Sequence, residues 1–163
     1  MAKLVLLLGS NMGDRHGNLK QAIQALNISI SPVILQSSLY ETAAWGNTDQ
    51  ASFFNICIVI ETLMKAEQLL EYALEIEKKL GRTRTVMQYS PRIIDIDILF
   101  YGDTIVNLPD LVIPHPHIAA RRFTLTPLAE ILPGFVHPVY KKTLLELCND
   151  CSDTLACTSI GTL

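Results

Sequence analysis

The stretch PRIIDIDILFYGD, Pro91 to Asp103, constrains this chain more than any other. It has the apolar content of a buried strand, yet Asp95 and Asp97 stand inside it, flanked by Ile93, Ile94, Ile96, Ile98 and Leu99. Burying an unpaired carboxylate costs several kcal/mol or more, so a strand that carries two needs a compensating partner. Strand side chains alternate between faces, and residues two apart are roughly 6.6 Å apart at Cα. Asp95, Asp97 and Leu99 therefore share one face, while Ile94, Ile96 and Ile98 share the other and can fill a core. The carboxylates converge on one patch and repel each other unless a cation lies beside them. Hard oxygen ligands favour Mg²⁺, which takes one or two protein carboxylates and completes its shell with water and phosphate. The alternative is that each aspartate pairs with an arginine on a solvated face.

The neighbourhood favours a bound polyanion. Arg82, Arg84 and Arg92 precede the pair closely, and Arg121 and Arg122 follow it. Guanidinium forks with permanent charge suit polyphosphate, and carboxylates together with arginines suit a metal-bound triphosphate. The segment LGSNMGD lacks the spacing of a P-loop, so its glycines read as a turn. Glu77 falls near the end of a helix, just before the arginines. It is placed either to meet a ribose or to face solvent. His115 and His117 are separated by Pro116, which lets their side chains diverge, so phosphate contact or a surface position suits His115 better than a metal. His16 and His137 read as surface residues. Asn55 is an amide inside an apolar run and shares a strand face with Phe53. A flat heterocycle with amide-like edges, stacked on the ring, would satisfy it.

The 163 residues suit one domain spanning 1–163, and the formal charge of −3 argues against nucleic acid as a partner. The apolar run Leu4–Leu8 is too short for a secretory segment or a membrane span, so it reads as a first strand in a cytoplasmic protein. Cys148 and Cys151 have zinc-like spacing, but no second ligand pair lies beside them. With Cys157 they read as free thiols on a terminal helix and tail, and Cys57 reads as core.

Along the chain, strands are expected at Lys3–Gly9, Val33–Thr42, Phe53–Thr62 and Ile94–Tyr101. Helices are expected at Arg15–Asn27, capped by Asp14, and at Lys65–Leu80, stopped by Gly81. A mobile loop is expected at Arg82–Pro91, a polar, unpatterned stretch that ends in proline. A helical segment begins near His117, Leu125–Leu132 forms a short apolar stretch, and the tail from Cys148 shows little periodicity. The order strand, helix, strand, strand, helix, strand is the α+β, ferredoxin-like βαββαβ plan: an antiparallel sheet with helices packed on one face, here extended by a C-terminal decoration.

At this point SPRIIDIDILFYGD closely resembles the signature of the 6-hydroxymethyl-7,8-dihydropterin pyrophosphokinase family of folate biosynthesis. LLLGSNMGD, YETAAWGNTDQASFFN, EIEKKLGRTR and VIPHPHIAARRFTLTPLAEI agree in order, over roughly residues 4–140. The resemblance implies a ferredoxin-like enzyme that transfers the β,γ-diphosphate of ATP to the hydroxymethyl oxygen of the pterin and releases AMP. It implies that Asp95 and Asp97 bind two Mg²⁺ ions, which bridge the ATP phosphates for in-line attack, with Asp95 also close to the pterin hydroxyl. It assigns Arg82 and Arg92 to catalysis, and Glu77, Arg82, Arg84, Arg92, Ile98, His115 and Arg121 to ATP. Thr42, Ala43, Ala44, Trp45 and Asn55 match the pterin pocket, and Phe53 and Phe123 match the two rings that sandwich the pterin. The partners implied are small molecules, with no nucleic acid and no membrane, and the expected state is a monomer.

The chain departs from the family pattern at Gln88, where a basic residue is common, at Ser90, where Gly or Ala is common, and at Ala43–Ala44, often proline-rich. No catalytic role passes to Gln88, and Arg84 is a candidate substitute. Two rival readings remain at this stage. One is a metal-dependent phosphohydrolase using the same aspartates. The other is a ferredoxin-like ligand-binding module without chemistry.

Overall fold

In β1 (Ala2–Ser10), both alternating sets of side chains are buried, Leu4, Leu6 and Leu8 on one face and Val5 and Leu7 on the other. A strand buried on both faces belongs in the middle of a covered sheet, and that is its position. The computed structural model describes residues 1–46, 49–82 and 91–163, so the expectations for Arg84, Gln88 and Ser90 lie outside the described residues. β1 is followed by α1 (Arg15–Ser29), β2 (Val33–Gln36), β3 (Leu39–Thr42), β4 (Phe53–Thr62), α2 (Ala66–Lys79) and β5 (Asp95–Tyr101). A small hairpin, β6 (Val106–Leu108) and β7 (Leu111–Ile113), a 3-10 turn (Ile118–Ala120), α3 (Arg122–Ile131), α4 (Leu144–Asp150) and β8 (Cys157–Gly161) complete the chain.

The main sheet runs β5-β1-β4-β3-β8, all antiparallel, with β2 also on β4. This is the ferredoxin-like order. One face is covered as expected: Leu19, Ala22 and Leu26 of α1 and Leu69, Ala73 and Ile76 of α2 pack on Leu6, Ile58, Ile96 and Ile98. The opposite face is covered too. Leu125 and Leu128 of α3 and Leu144 and Leu147 of α4 pack on Val5, Leu7, Val59, Leu99 and Phe100. The C-terminal decoration thus supplies a second layer of helices, a covering the βαββαβ pattern alone does not foresee.

Four local readings are corrected. The strand expected over Val33–Thr42 breaks at Ser37–Ser38. Ser37 Oγ accepts the Cys57 N–H at 2.9 Å, and Ser38 gives its N–H and hydroxyl to Glu130 of α3. Second, the apolar stretch Leu125–Leu132 lies largely within α3, whose first residue is Arg122. Third, the tail has regular structure. Thr143 and Glu146 cap α4 reciprocally, and Cys157–Gly161 pairs with β3. Finally, His137 is buried, not superficial. Its Nδ1 accepts the N–H groups of Val139 and Tyr140 at 3.2 and 3.3 Å, and its ring meets Phe100 edge-on.

The aspartate strand shows why its sequence alternates imperfectly. The pairing of β1 with β5 shifts register between Val5 and Leu6, opposite Phe100 and Ile98, so Leu99 is an extra residue there. Leu99 and Phe100 both enter the second core layer. Asp95 and Asp97 lie before the bulge, opposite Gly9 and Leu7, where that second layer gives way to a cleft.

Candidate active site

The cleft is a cavity of about 300 Å³ at the end of β1, between the start of β5 and the β3–β4 connection. Its charged side begins at α2. Gly81 adopts φ +95°, and its N–H bonds Lys78 O at 3.1 Å while the Arg82 N–H bonds Glu77 O at 3.0 Å. This pair of bonds is the Schellman stop that a glycine permits. It folds the chain back so that Arg82 meets Glu77 and Asp95 together, with Nη1 2.6 Å from Asp95 Oδ1. Arg92 pairs with the other oxygen of the same carboxylate. Asp95 is therefore held between two arginines, and the arginine-paired alternative is realised for it.

Glu77 is 3% exposed. Its Oε1 accepts the Ile96 N–H at 2.8 Å, which ties α2 to the strand bearing the aspartates. Burial, and then Asp95, push its carboxyl up to about 7, against the pull of Arg82 and the Ile96 N–H. Asp97 is likewise pushed up to about 7 by burial and by Asp95, with Arg121 and Arg92 pulling the other way. A carboxyl in that condition gains from a cation. Among the described residues no group of three or more His, Cys, Asp or Glu side chains could hold a metal. Two carboxylates alone fit an ion that completes its shell from water and phosphate, which is how Mg²⁺ binds.

The other side of the cavity is neutral. Asn55 is 3% exposed and donates from Nδ2 to Thr42 Oγ1 at 2.7 Å. A Cβ at Gly9 would lie 2.7 Å from Asn55 Oδ1, so only glycine leaves that oxygen its place. Ala43, Ala44 and Trp45 line this side, with Phe53 and Phe123. Arg121 joins the halves: its guanidinium lies 4.7 Å from the Trp45 ring centroid and 5.7 Å from that of Phe123. His115 also lines the cavity. Its Nδ1 accepts the His117 N–H at 3.3 Å. Burial first, then Arg121 and His117, push the ring down to about 4, so it is neutral at physiological pH and carries its proton on Nε2.

The structure thus brings Thr42, Ala43, Ala44, Trp45, Phe53 and Asn55 together with Arg92, Asp95, Asp97, His115, Arg121 and Phe123 around one cavity. Glu77 and Arg82 line a second pocket with Leu74 and Lys78, linked to the first by the Arg82–Asp95 ion pair. The Ile98 side chain is core, beneath the helices on the far face of β5. Arg122 leaves the site altogether: its N–H bonds Asp153 and its Nη2 bonds Cys151 O, pinning the tail. One residue bordering the site escaped the sequence reading. Asn11, 5% exposed, exchanges bonds with the Arg92 backbone (Asn11 N–H to Arg92 O at 3.0 Å, Arg92 N–H to Asn11 Oδ1 at 2.7 Å). It also donates to Gln50 Oε1 and Ala51 O. A polar residue directly after an apolar strand was the signal available for it.

A ferredoxin-like sheet whose end presents paired carboxylates and arginines beside an aromatic, amide-bearing slot defines an enzyme that brings a polyphosphate to a flat acceptor. The comparisons with known proteins agree. Residues 5–133 match the 7,8-dihydro-6-hydroxymethylpterin-pyrophosphokinase family. The chain is 38% identical to the 2-amino-4-hydroxy-6-hydroxymethyldihydropteridine pyrophosphokinase of Aquifex aeolicus over 148 residues, 90% of each chain. It is 42% identical to the enzyme of that name from Bacillus subtilis over 127 residues, 77% of this chain and 75% of that one. Among solved structures, wild-type HPPK-DHPS of Plasmodium falciparum with SDX-DHP superimposes with a TM-score of 0.75 at 18% identity. That match covers 91% of this chain and 44% of that one, and it bears on fold alone. This chain belongs to the 7,8-dihydro-6-hydroxymethylpterin-pyrophosphokinase family, and it is an ATP-dependent diphosphotransferase.

Proposed function

We propose that the cleft carries the family's reaction: transfer of the β,γ-diphosphate of ATP to the hydroxymethyl oxygen of 6-hydroxymethyl-7,8-dihydropterin, with AMP as the second product. The observation that carries this reading is the meeting of two unlike half-sites on one cavity. The Asn55 amide offers an acceptor edge to a flat heterocycle, and Phe53 and Phe123 offer it ring faces. Asp95 and Asp97 are the residues that hold Mg²⁺, two ions in this reading. Bound there, Mg²⁺ supplies charge neutralisation for the polyphosphate. Arg82 and Arg92 exchange the Asp95 carboxylate for phosphate oxygens, where their forked donors stabilise the charge that develops during transfer. Arg121 and neutral His115 donate to the same anion from the opposite wall, and Arg121 keeps its contact with the pterin-facing rings. Glu77 positions Arg82 and the entry of β5 beside the nucleotide.

In this reading residues 1–163 act as one domain, a cytoplasmic monomer whose partners are its two small-molecule substrates. Among the described residues no helix is long and apolar enough to cross a membrane.

The test is the identity of the nucleotide product. Incubation with ATP, Mg²⁺ and 6-hydroxymethyl-7,8-dihydropterin should yield AMP, and only when the pterin is present. ADP as main product, or nucleotide turnover without pterin, would instead support a metal-dependent phosphohydrolase.

A further inference from the structure

The connection between β3 and β4 lines the pterin side of the cavity, and its two stems, already paired through Glu41–Phe54 and Thr42–Phe53, are braced from outside by one residue. Arg15, the first residue of α1, does not line the cavity. Its Nη1 lies 3.2 Å from Glu41 Oε1, 2.9 Å from Ser52 O and 2.8 Å from Ser52 Oγ. Ser52 Oγ in turn donates to Glu41 Oε1 at 2.6 Å, and the guanidinium carbon lies 3.7 Å from the Phe54 ring centroid. Glu41 is the next-to-last residue of β3, and Ser52 immediately precedes β4. The clamp therefore closes on both stems of the connection at once, one residue from Thr42 on one side and one residue from Phe53 on the other.

We propose that Arg15 is a positioning residue for the acceptor half of the site. It touches no substrate in this arrangement. It braces the open end of the β3–β4 ladder, where the chain leaves the paired Thr42 and Phe53 to present Ala44 and Trp45 on one side and returns to Phe53 and Asn55 on the other. This rests on the reading of that half as the pterin pocket. The physical argument is preorganisation. A flat ligand held by an amide edge and ring faces binds only when those groups are already in register, and its apparent affinity falls in proportion to the fraction of molecules that hold them so. A guanidinium is suited to the task because it bonds several acceptors in its plane while stacking an aromatic ring on its face, which an ammonium group cannot do. The clamp is separate from the charged half, since none of Arg82, Arg92, Asp95 and Asp97 is among the hydrogen-bond and ion-pair partners found for Arg15, Glu41 and Ser52.

The experiment measures binding of 6-hydroxymethyl-7,8-dihydropterin, alone and with Mg²⁺ and α,β-methylene-ATP, to the wild-type protein and to Arg15→Ala, Arg15→Lys and Ser52→Ala. The steady-state constants are measured alongside. Arg15→Ala should raise the pterin Kd and KM about 10-fold. Its ATP KM should stay within about twofold and its kcat at saturating pterin within about threefold of wild type. Arg15→Lys should recover only part of the loss. Ser52→Ala removes one arm of the clamp without changing charge. Combined with Arg15→Ala, it should add little, because both act through the same contact. Wild-type pterin affinity in Arg15→Ala overturns the inference, as does an equal rise in both substrates' KM, which would mark a general loss of structure. If the wild-type protein itself fails to bind the pterin, the functional reading and this inference fall together. If it binds and Arg15→Ala binds equally well, only the inference falls.

Discussion

On the β5 side of the cleft the protein's own charges answer one another. Asp95 takes Arg82 and Arg92, and Arg82 also takes Glu77. On the β3–β4 side the central polar group is neutral, and Asn55 spends its amide donor on Thr42 while Gly9 leaves room for its oxygen. In the proposed reading the charged half gives up internal ion pairs when a polyanion arrives. The amide half needs no such exchange. Buried carboxylates gathered beside one another, as Glu77 and Asp97 are beside Asp95, raise each other's energy in the free protein, whereas a satisfied amide costs little. Substitutions on the two sides should therefore fail in different ways: on the charged side turnover is lost while the free protein is relieved, and on the neutral side affinity for one substrate is lost.

The largest effect is expected at Asp97. Burial and Asp95 push its carboxyl up to about 7, so in the free protein at mildly alkaline pH the ionised form opposes folding. Asp97→Asn should lower kcat by about 10³-fold or more, as loss of a ligand to the neutralising ion implies. The same change should raise the Tm of the free protein. Kinetics of AMP formation and thermal melts near pH 8 check both halves of the statement. Near-normal turnover would remove the metal role, and a lowered Tm would contradict the account of the charged side.

The next effect lies across the cavity. Asn55→Leu keeps the approximate volume but removes the acceptor edge and leaves Thr42 Oγ1 without its donor. A buried polar contact of this kind is worth about 2 kcal/mol, so the pterin Kd should rise about 30-fold. The ATP Kd should not move. Separate titrations with each substrate measure this. A matching loss of ATP affinity would show that the halves are not independent, and would direct attention to Arg121, which touches the Trp45 and Phe123 rings.

How far these features were legible in the sequence depends on the range of the interaction that sets them. Alternation through Ile94–Ile98 places the aspartates on one face from local sequence alone, and Gly81 ends α2 where its conformational freedom says it should. The break at Ser37–Ser38 is different, because Glu130, which holds Ser38, lies 92 positions away. The same distance problem hides the bulge at Leu99, set by pairing with β1, and the strand at Cys157–Gly161, which has a partner only once β3 is in place. Arg121 and Arg122 carry identical side chains, and nothing in the residues themselves says that one lines the cavity while the other pins Asp153. Asn11 is the clearest case at the site: its role is a set of bonds to Arg92, Gln50 and Ala51, none of them near it in sequence.

The smallest effect on turnover sharpens the comparison most. Glu77 is buried, and burial with Asp95 raises its carboxyl from an unfolded value of about 4.3 to about 7. Between those two values the folded protein keeps a proton that the unfolded chain has released. Stability must therefore fall as pH rises through that window and level off above it. Glu77→Gln keeps an acceptor for the Ile96 N–H but cannot ionise, so it should lose this slope. The Tm of the variant relative to wild type should climb between about pH 5 and about pH 7.5, reaching a difference on the order of 3 kcal/mol, or roughly 6–12 °C for a chain of this size. Turnover should change only a few-fold, because Arg82 keeps Asp95 as a partner. Melting curves across that range decide the matter. A difference that does not vary with pH, or a variant less stable throughout, would mean that Glu77 is an ordinary stabilising partner of Arg82. The charged half would then be as settled in the free protein as the amide half, and the contrast between them would reduce to chemistry alone.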